Sequence, residues 1–253
     1  MRAEPEPARV LITGATSAIG SALARLYAGS GVTLYLHGRN LALLEDVVAD
    51  CRAAGADVVL HQQDVRDFEL LRNWLVSLPA LDLAIANAGV NSHGEKGEPE
   101  DWDAVDALLD VNLKAAMLMA DAVLPAMRAR GRGQLVFMSS LAGYFGLPVT
   151  PAYSASKAGI KAYGEALRGW LAPEGIRVNV VMPGYVKSPM CDAMPGPKPF
   201  LWSPERAARV IQRGLARNKA RISFPFPLNW GCWWLAVLPA EISSRIVRWM
   251  GYA

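Results

Sequence analysis

Short apolar runs alternate with stretches of helical periodicity along nearly the whole chain. Arg9–Thr13 (RVLIT) is an apolar run that meets Gly14, and a helical pattern follows to about Gly29. Residues 32–36 (VTLYL) form the next run, and residues 41–54 are helical, with Leu41, Leu44, Val47, Val48 and Cys51 three and four apart. Residues 57–60 and 81–86 read as strands three and four, with a helix near residues 68–78 between them. A long helical pattern over roughly residues 100–130 follows, with a kink expected at Pro125. Residues 134–138 (QLVFM) give a fifth strand, residues 153–171 a helix, and residues 177–182 (RVNVVM) a sixth strand closed by Pro183-Gly184. Such alternation requires crossover connections. The fold class it predicts is α/β: a single Rossmann-like, doubly wound parallel sheet with helices on both faces. The domain is expected to span residues 8–220, with residues 221–253 as an apolar, Trp-rich C-terminal tail that is no independent domain.

Composition narrows the function classes. A chain of 253 residues, 52% hydrophobic and 19% charged, is globular and long enough for a sizeable core. A formal charge of +3, without a Lys/Arg run interleaved with aromatics, argues against a nucleic-acid partner. Cys51, Cys191 and Cys232 are far apart and lack metal-ligand spacing, so they read as free thiols, and no metal site is expected. The opening MRAEPEPARV has no apolar run before the first strand. No cleavable signal peptide is expected there, and the expected location is cytoplasmic.

Ligands of doubly wound sheets bind where strand order reverses, at the carboxyl ends of the strands. The first such end reads Thr13-Gly14-Ala15-Thr16-Ser17-Ala18-Ile19-Gly20. Gly14 permits a sharp exit from the strand, Gly20 permits close packing of the helix, and the helix N-terminus offers amides to a pyrophosphate. The spacing differs from the G-x-G-x-x-G of other dinucleotide folds. The second strand ends Leu36-His37-Gly38-Arg39, without the acid that would hold a ribose 2′-hydroxyl. Gly38 leaves space there, and the Arg39 guanidinium suits a 2′-phosphate, so NADP(H) is favoured over NAD(H). His37 is read as a strand-end histidine without chemistry.

Tyr153-Ser154-Ala155-Ser156-Lys157 places a phenol and an ammonium on one helix face. Alone, this is a common helix-surface pair. Ser139-Ser140 at the end of the fifth strand, Asn87-Ala88-Gly89 at the end of the fourth, and Asn112 in the long helix give it context. Together with TGATSAIG, Asp64-Val65 and Pro183-Gly184, these motifs run over residues 8–190 in one order. That set resembles the short-chain dehydrogenase/reductase family in its form of about 250 residues. Ala18 departs from the family pattern, standing where a third glycine is usual.

The resemblance implies an oxidoreductase that moves hydride between nicotinamide and a carbonyl or secondary alcohol. It implies Tyr153 as general acid in reduction and base in oxidation, with Lys157 and the oxidised nicotinamide favouring the phenolate. Ser140 would hold the substrate oxygen, and Asn112 would support a water leading from Lys157 toward solvent. The implied cofactor contacts are Thr13, Gly14, Ser17, Ile19 and Gly20 at the turn and phosphates, and Arg39 at the 2′-phosphate. Asp64 and Val65 would meet the adenine, and Asn87, Ala88 and Gly89 the adenosine side. Tyr153 and Lys157 would hold the nicotinamide ribose, while Pro183, Gly184, Val186 and Ser188 would pack around the nicotinamide. A homodimer or homotetramer is expected on the same ground.

Residues 185–199 (YVKSPMCDAMPGPKP) hold four prolines and read as a lid-like loop over substrate, with Met190 and Met194 suited to an adaptable apolar pocket. Residues 203–218 read as a helix capped by Ser203 with Pro204 in its first turn. Residues 222–240 carry no charge, yet Pro225, Pro227 and Asn229 interrupt them. The longest helix before Pro239 is about 16 Å, about half of a hydrocarbon core, so it does not span a membrane. Beyond Pro239, Ile242, Ile246, Val247, Trp249 and Met250 share a helical face, with Arg245 and Arg248 off it. Three roles fit this tail: peripheral contact with a membrane on its inner face, burial against a partner subunit, and a lid over an apolar substrate. The tail is also similar in composition to those of bacterial family members acting on keto-sugars carried by nucleotides or polyprenyl phosphate in surface-polysaccharide synthesis. A lipophilic 3-oxoacyl or steroid-like ketone is the alternative substrate, and a non-catalytic NADP-binding regulator the alternative role.

Overall fold

A computed structural model describes residues 7–91, 100–194 and 196–251. Seven strands form one parallel sheet in the order β3-β2-β1-β4-β5-β6-β7. They are β1 (Arg9–Thr13), β2 (Thr33–Gly38), β3 (Asp57–Gln62), β4 (Leu83–Ala86), β5 (Gly133–Met138), β6 (Ile176–Pro183) and β7 (Arg221–Phe224). The inner strands are apolar along their length because helices cover both faces of the sheet, as a parallel sheet requires. One face packs beneath α1 (Ala18–Tyr27), α2 (Leu41–Ala53) and α8 (Pro204–Ala216), around Val10, Ile12, Leu36 and Ile211. The other packs beneath α3 (Phe68–Ser77), α5 (Ala115–Arg130) and α6 (Pro151–Leu171), around Leu11, Met119, Phe137 and Ile160.

Strand order reverses between β1 and β4: Leu11 pairs with Tyr35 on one side and Ala84 on the other. The crevice outside these two strand ends is therefore the switch point of the sheet.

The structure corrects the sequence reading in three places. Residues 221–224, assigned to the tail, are β7, whose Val181↔Ile222 register extends the sheet by one edge strand. The apolar tail begins after Phe224. The long helical pattern after residue 100 is α4 (Trp102–Leu109), a π-helical turn (Asp110–Lys114) and α5. Its irregularity lies at this turn, and Pro125 sits within α5. The proline-rich loop contains a short helix, α7 (Pro189–Ala193), which buries Cys191.

The tail forms α9 (Leu228–Val237) and α10 (Ala240–Trp249), joined where Ser243 Oγ donates to Leu235 O at 2.8 Å. Among the described residues, no helix is long and apolar enough to cross a membrane.

Candidate active site

The carboxyl ends of β1, β4, β5 and β6 open onto a cavity of about 410 Å³. At its cofactor-like end, Gly14 has φ +65°, and a Cβ there would stand 2.7 Å from Ala88 Cα. Only glycine meets both demands. A Cβ on Gly20 would lie 2.3 Å from Gly14 O and 2.7 Å from Asn87 Nδ2. The Asn87 amide uses that space, donating to Thr13 O (3.0 Å), Gly14 O (2.9 Å) and Ser17 Oγ (3.1 Å). Thr13 Oγ1 accepts from the Asn87 and Ala88 amides at 3.1 and 3.2 Å. The turn after β1 and the end of β4 are thus locked together.

Ser17 caps α1 by accepting from Gly20 N at 3.1 Å. The first amides of a helix have no partner within it, so this N-terminus suits a phosphate. Ser17, Ala18 and Ile19 line the cavity at that point. Ala18 therefore keeps helical backbone, and its extra methyl faces the cavity.

Gly38 lies against Thr16: a Cβ would come 3.0 Å from Thr16 Cγ2. Arg39 is exposed at the end of β2, with its guanidinium 3.8 Å from Asp64 Oδ2. Asp64 is bound more closely by Arg66, at 2.8 Å, which holds its carboxyl below the usual range. Val65 is buried in the core beside α3. His37, on β2, lies beside the stacked rings of His61 and Trp74, where burial pushes its pKa down to about 4 and keeps the ring neutral. It lies outside the cavity lining.

The polar end of the cavity is built on α6. Lys157 is 4% exposed; its Nζ donates to Met138 O at 3.0 Å and lies 5.5 Å from the Tyr153 ring centroid. Burial, which disfavours the charged form, brings the pKa of this ammonium down to about 8. Burial also pushes the Tyr153 phenol up, opposed in part by a hydrogen bond with Ser140. Ser140 Oγ also accepts from Ala142 N at 3.1 Å. Ser139 Oγ donates to Lys157 O at 2.7 Å, fixing the end of β5 to α6.

Asn112, 2% exposed, sits in the π-helical turn. Such turns break the regular helical ladder and recur at functional sites. Its Oδ1 accepts from Val90 N at 2.9 Å, and its Nδ2 donates to Val90 O (2.9 Å) and Ser156 Oγ (3.1 Å). Gly89 fills the gap between it and the lysine: a Cβ there would be 3.3 Å from Asn112 Oδ1 and 3.4 Å from Lys157 Nζ. The amide is therefore committed to backbone and to Ser156, tying the segment after β4 to α6.

Pro183, Gly184, Val186 and Ser188 line the opposite wall. A Cβ on Gly184 would meet Pro225 Cδ at 2.9 Å, so glycine here admits the start of the tail. Ser188 Oγ accepts from Cys191 N at 3.1 Å and caps α7. The structure thus gathers Ser17, Ile19, Asn87 and Gly89 with Ser140, Tyr153 and Lys157 around one cavity. Thr13, Gly14, Gly20, Ala88 and Asn112 support that wall, whereas Arg39, Asp64 and Val65 stand at the ends of β2 and β3, outside the lining.

Five lining residues come from the tail: Leu228, Cys232 and Leu235 on α9, and Val247 and Met250 at α10 and its end. The first three are spaced as one helical stripe, the signal that could have found them. The single apolar face expected after Pro239 is in fact divided. Val247 turns to the cavity, whereas Ile242 and Trp249 are exposed. Met190 and Met194 line the cavity as expected, and Thr16, Phe145 and Leu147 join them.

A parallel sheet with a phosphate-ready helix end at its switch point, beside a buried Ser/Tyr/Lys group, defines a dinucleotide-binding protein equipped for acid–base work. The short chain dehydrogenase family profile matches residues 8–196. An uncharacterized oxidoreductase of Myxococcus xanthus is 38% identical over 243 residues, covering 94% of this chain and 95% of that protein. A 3-oxoacyl-acyl-carrier-protein reductase of Thermotoga maritima is 32% identical over 191 residues, 73% of this chain and 76% of that one. In structure, a short-chain dehydrogenase from Sphingobium yanoikuyae in complex with NADPH superposes with a TM-score of 0.80. It is 24% identical, and the match covers 94% of this chain and 93% of that one. The protein belongs to the short-chain dehydrogenase family and is an oxidoreductase.

Proposed function

We propose that the protein is an NADP(H)-dependent reductase of a lipophilic ketone, with Tyr153 as its proton donor. The carrying observation is the cavity. One end presents Ser140, Tyr153 and Lys157, and the walls beyond are apolar side chains from α7, α9 and α10. Among the described residues, Lys157 is the only charged group in the lining, and its ammonium is engaged with Met138 O. A keto-sugar phosphate would bring an anion and several hydroxyls to a wall with almost no partners for them, at a desolvation cost of about 1–3 kcal/mol for each unpaired group. A 3-oxoacyl or steroid-like ketone would match these walls, and burying its surface would stabilise binding by about 0.8 kcal/mol per methylene.

The residues present fit the cofactor. The Gly14 turn and the α1 N-terminus would receive a pyrophosphate, and Asn87, Ala88 and Gly89 would flank the adenosine side. Arg39, with Thr16 close to Gly38, offers a 2′-phosphate partner in place of an acid. When bound, NADPH supplies the hydride. Ser140 orients the ketone oxygen, and Tyr153, kept as a phenol by burial, gives that oxygen its proton. The Lys157 ammonium would offset the charge of the phenolate left behind until solvent returns its proton, and would hold the ribose. Asn112 keeps the Lys157 surroundings in register through Val90 and Ser156.

NADPH oxidation measured against ketones ranging from nucleotide keto-sugars to long-chain methyl ketones tests both halves of this reading. Turnover should rise with apolar chain length and be absent with keto-sugars; the reverse order would refute the substrate class. Tyr153→Phe should bind NADPH as the parent does and lose turnover by about 10²–10⁴-fold. Undiminished turnover would refute the proton donor.

A further inference from the structure

We infer that α9 and α10 seat the protein on an anionic lipid bilayer, with α9 as the wall between that bilayer and the active-site cavity. Helix α9 carries two opposed apolar stripes. Leu228, Cys232 and Leu235 face the cavity. Trp230, Trp233, Trp234 and Val237, at i, i+3, i+4 and i+7, lie on the far side and are 41–61% exposed. An exposed stripe of this kind is uncommon on a soluble surface and marks an interaction face. Phe226 extends it in edge-to-face contact with Trp230, and Trp249 of α10 is 88% exposed.

Charge selects the partner. Residues 222–240 contain no acid or base, and cations stand on either side of this stretch in the chain. Arg245 and Arg248 are exposed on α10, next in angular order to the Ile242 and Trp249 stripe, with one exposed acid, Glu241, between them. On the other side, Arg213, Arg217, Lys219 and Arg221 line a shallow groove that also holds Ser223 and has no carboxylate in its lining. Arg221 is paired with Glu165. Ser223, at one end of that groove's lining, accepts from Asn229 Nδ2 through O and Oγ at 3.1 and 3.2 Å, one residue before Trp230. An exposed tryptophan face with an excess of arginine and lysine in its flanking segments fits a bilayer interface, where rings sit at headgroup depth and cations meet lipid phosphates.

Seating α9 in this way also gives a lipid-dissolved ketone a short route into the cavity. That delivery rests on the substrate class proposed above; the seating does not.

The test is co-sedimentation of the full chain with vesicles, either pure phosphatidylcholine or three parts of it to one part phosphatidylglycerol. The wild-type protein should pellet with the anionic vesicles, with tryptophan emission moving to the blue, and should be released by salt. Trp230→Ser, Trp233→Ser and Trp234→Ser together should lower partitioning at least about tenfold, while NADPH binding, read by cofactor fluorescence, stays unchanged. Should that variant fail to bind NADPH, Arg245→Gln with Arg248→Gln decides instead: it should reduce the preference for anionic over neutral vesicles. A wild-type chain that stays in the supernatant with both vesicle types overturns the inference. So does a wild-type chain indifferent to vesicles whose tryptophan variant halves in native mass, because the face then joins two copies. A reductase with no activity on lipophilic ketones that still pellets would sink the function and leave the seating intact.

Discussion

Lys157 illustrates how one residue can set both geometry and pH response. Its ammonium is buried against Met138 O, and removal from water brings its pKa down to about 8. NADPH is a polyanion, so its binding must favour the protonated lysine and raise that pKa in the complex. By linkage, affinity depends on pH only between the free and bound values. Affinity is therefore level below about pH 8, where both forms are protonated, and falls above it as the free protein loses its proton first. Cofactor-fluorescence titrations across about pH 7 to 9.5 should bend near 8. Lys157→Met should bind more weakly at neutral pH and show no bend. A flat wild-type profile would mean that the ammonium plays no part in holding cofactor.

At the scale of elements, substrate choice falls to α9, because it presents one stripe to the cavity without belonging to the catalytic frame on α6. Leu235→Trp should fill space on the cavity side and leave β5, α6 and their hydrogen bonds in place. KM for a long-chain methyl ketone should rise about tenfold, equivalent to about 1.4 kcal/mol, while kcat for cyclohexanone stays near the parent value. Equal effects on both ketones would place Leu235 outside the substrate path. Elements of this protein differ in how plainly the sequence announces them. The inner strands were legible because two-sided burial makes them continuous apolar runs, as in VTLYL and QLVFM. Strand β7 was not, since RISF is short, starts with an exposed arginine and runs directly into an apolar proline stretch. The π-helical turn at Asp110–Lys114 has the residue preferences of ordinary helix, and only its hydrogen bonding distinguishes it. The Tyr153, Lys157, Ser140 and Asn87 positions were readable from motif order. A place for the tail over an apolar substrate was among the roles the sequence offered, but which stripe of α9 turns inward was not readable, because Leu228, Cys232 and Leu235 form one apolar stripe and Trp230, Trp233 and Trp234 another.

Over the whole molecule, the cofactor-like end of the crevice is assembled from both halves of the sheet. Gly14 and α1 come from one side of the reversal; Asn87, Lys157 and Pro183 come from the other. A ligand bridging them stabilises the folded chain as a unit, by about 2.7 kcal/mol at a concentration one hundred times its Kd. For a domain of this size each kcal/mol moves Tm by about 2–4 °C, so NADPH at that concentration should raise Tm by about 5–10 °C. Selectivity adds a second comparison. Arg39 stands more than half exposed, with only a loose 3.8 Å approach to Asp64, and so is free to turn to a 2′-phosphate at little cost. NADH at the same concentration should give a distinctly smaller shift. Arg39→Asp should shrink the NADPH shift and leave the NADH shift level or larger, since an acid there can accept from a ribose hydroxyl. Scanning fluorimetry of both proteins with both cofactors gives four midpoints. Equal shifts from NADPH and NADH in the wild-type chain would assign the 2′-phosphate no partner in this protein and withdraw the NADP(H) preference, while leaving the bridging of the two half-sheets untouched.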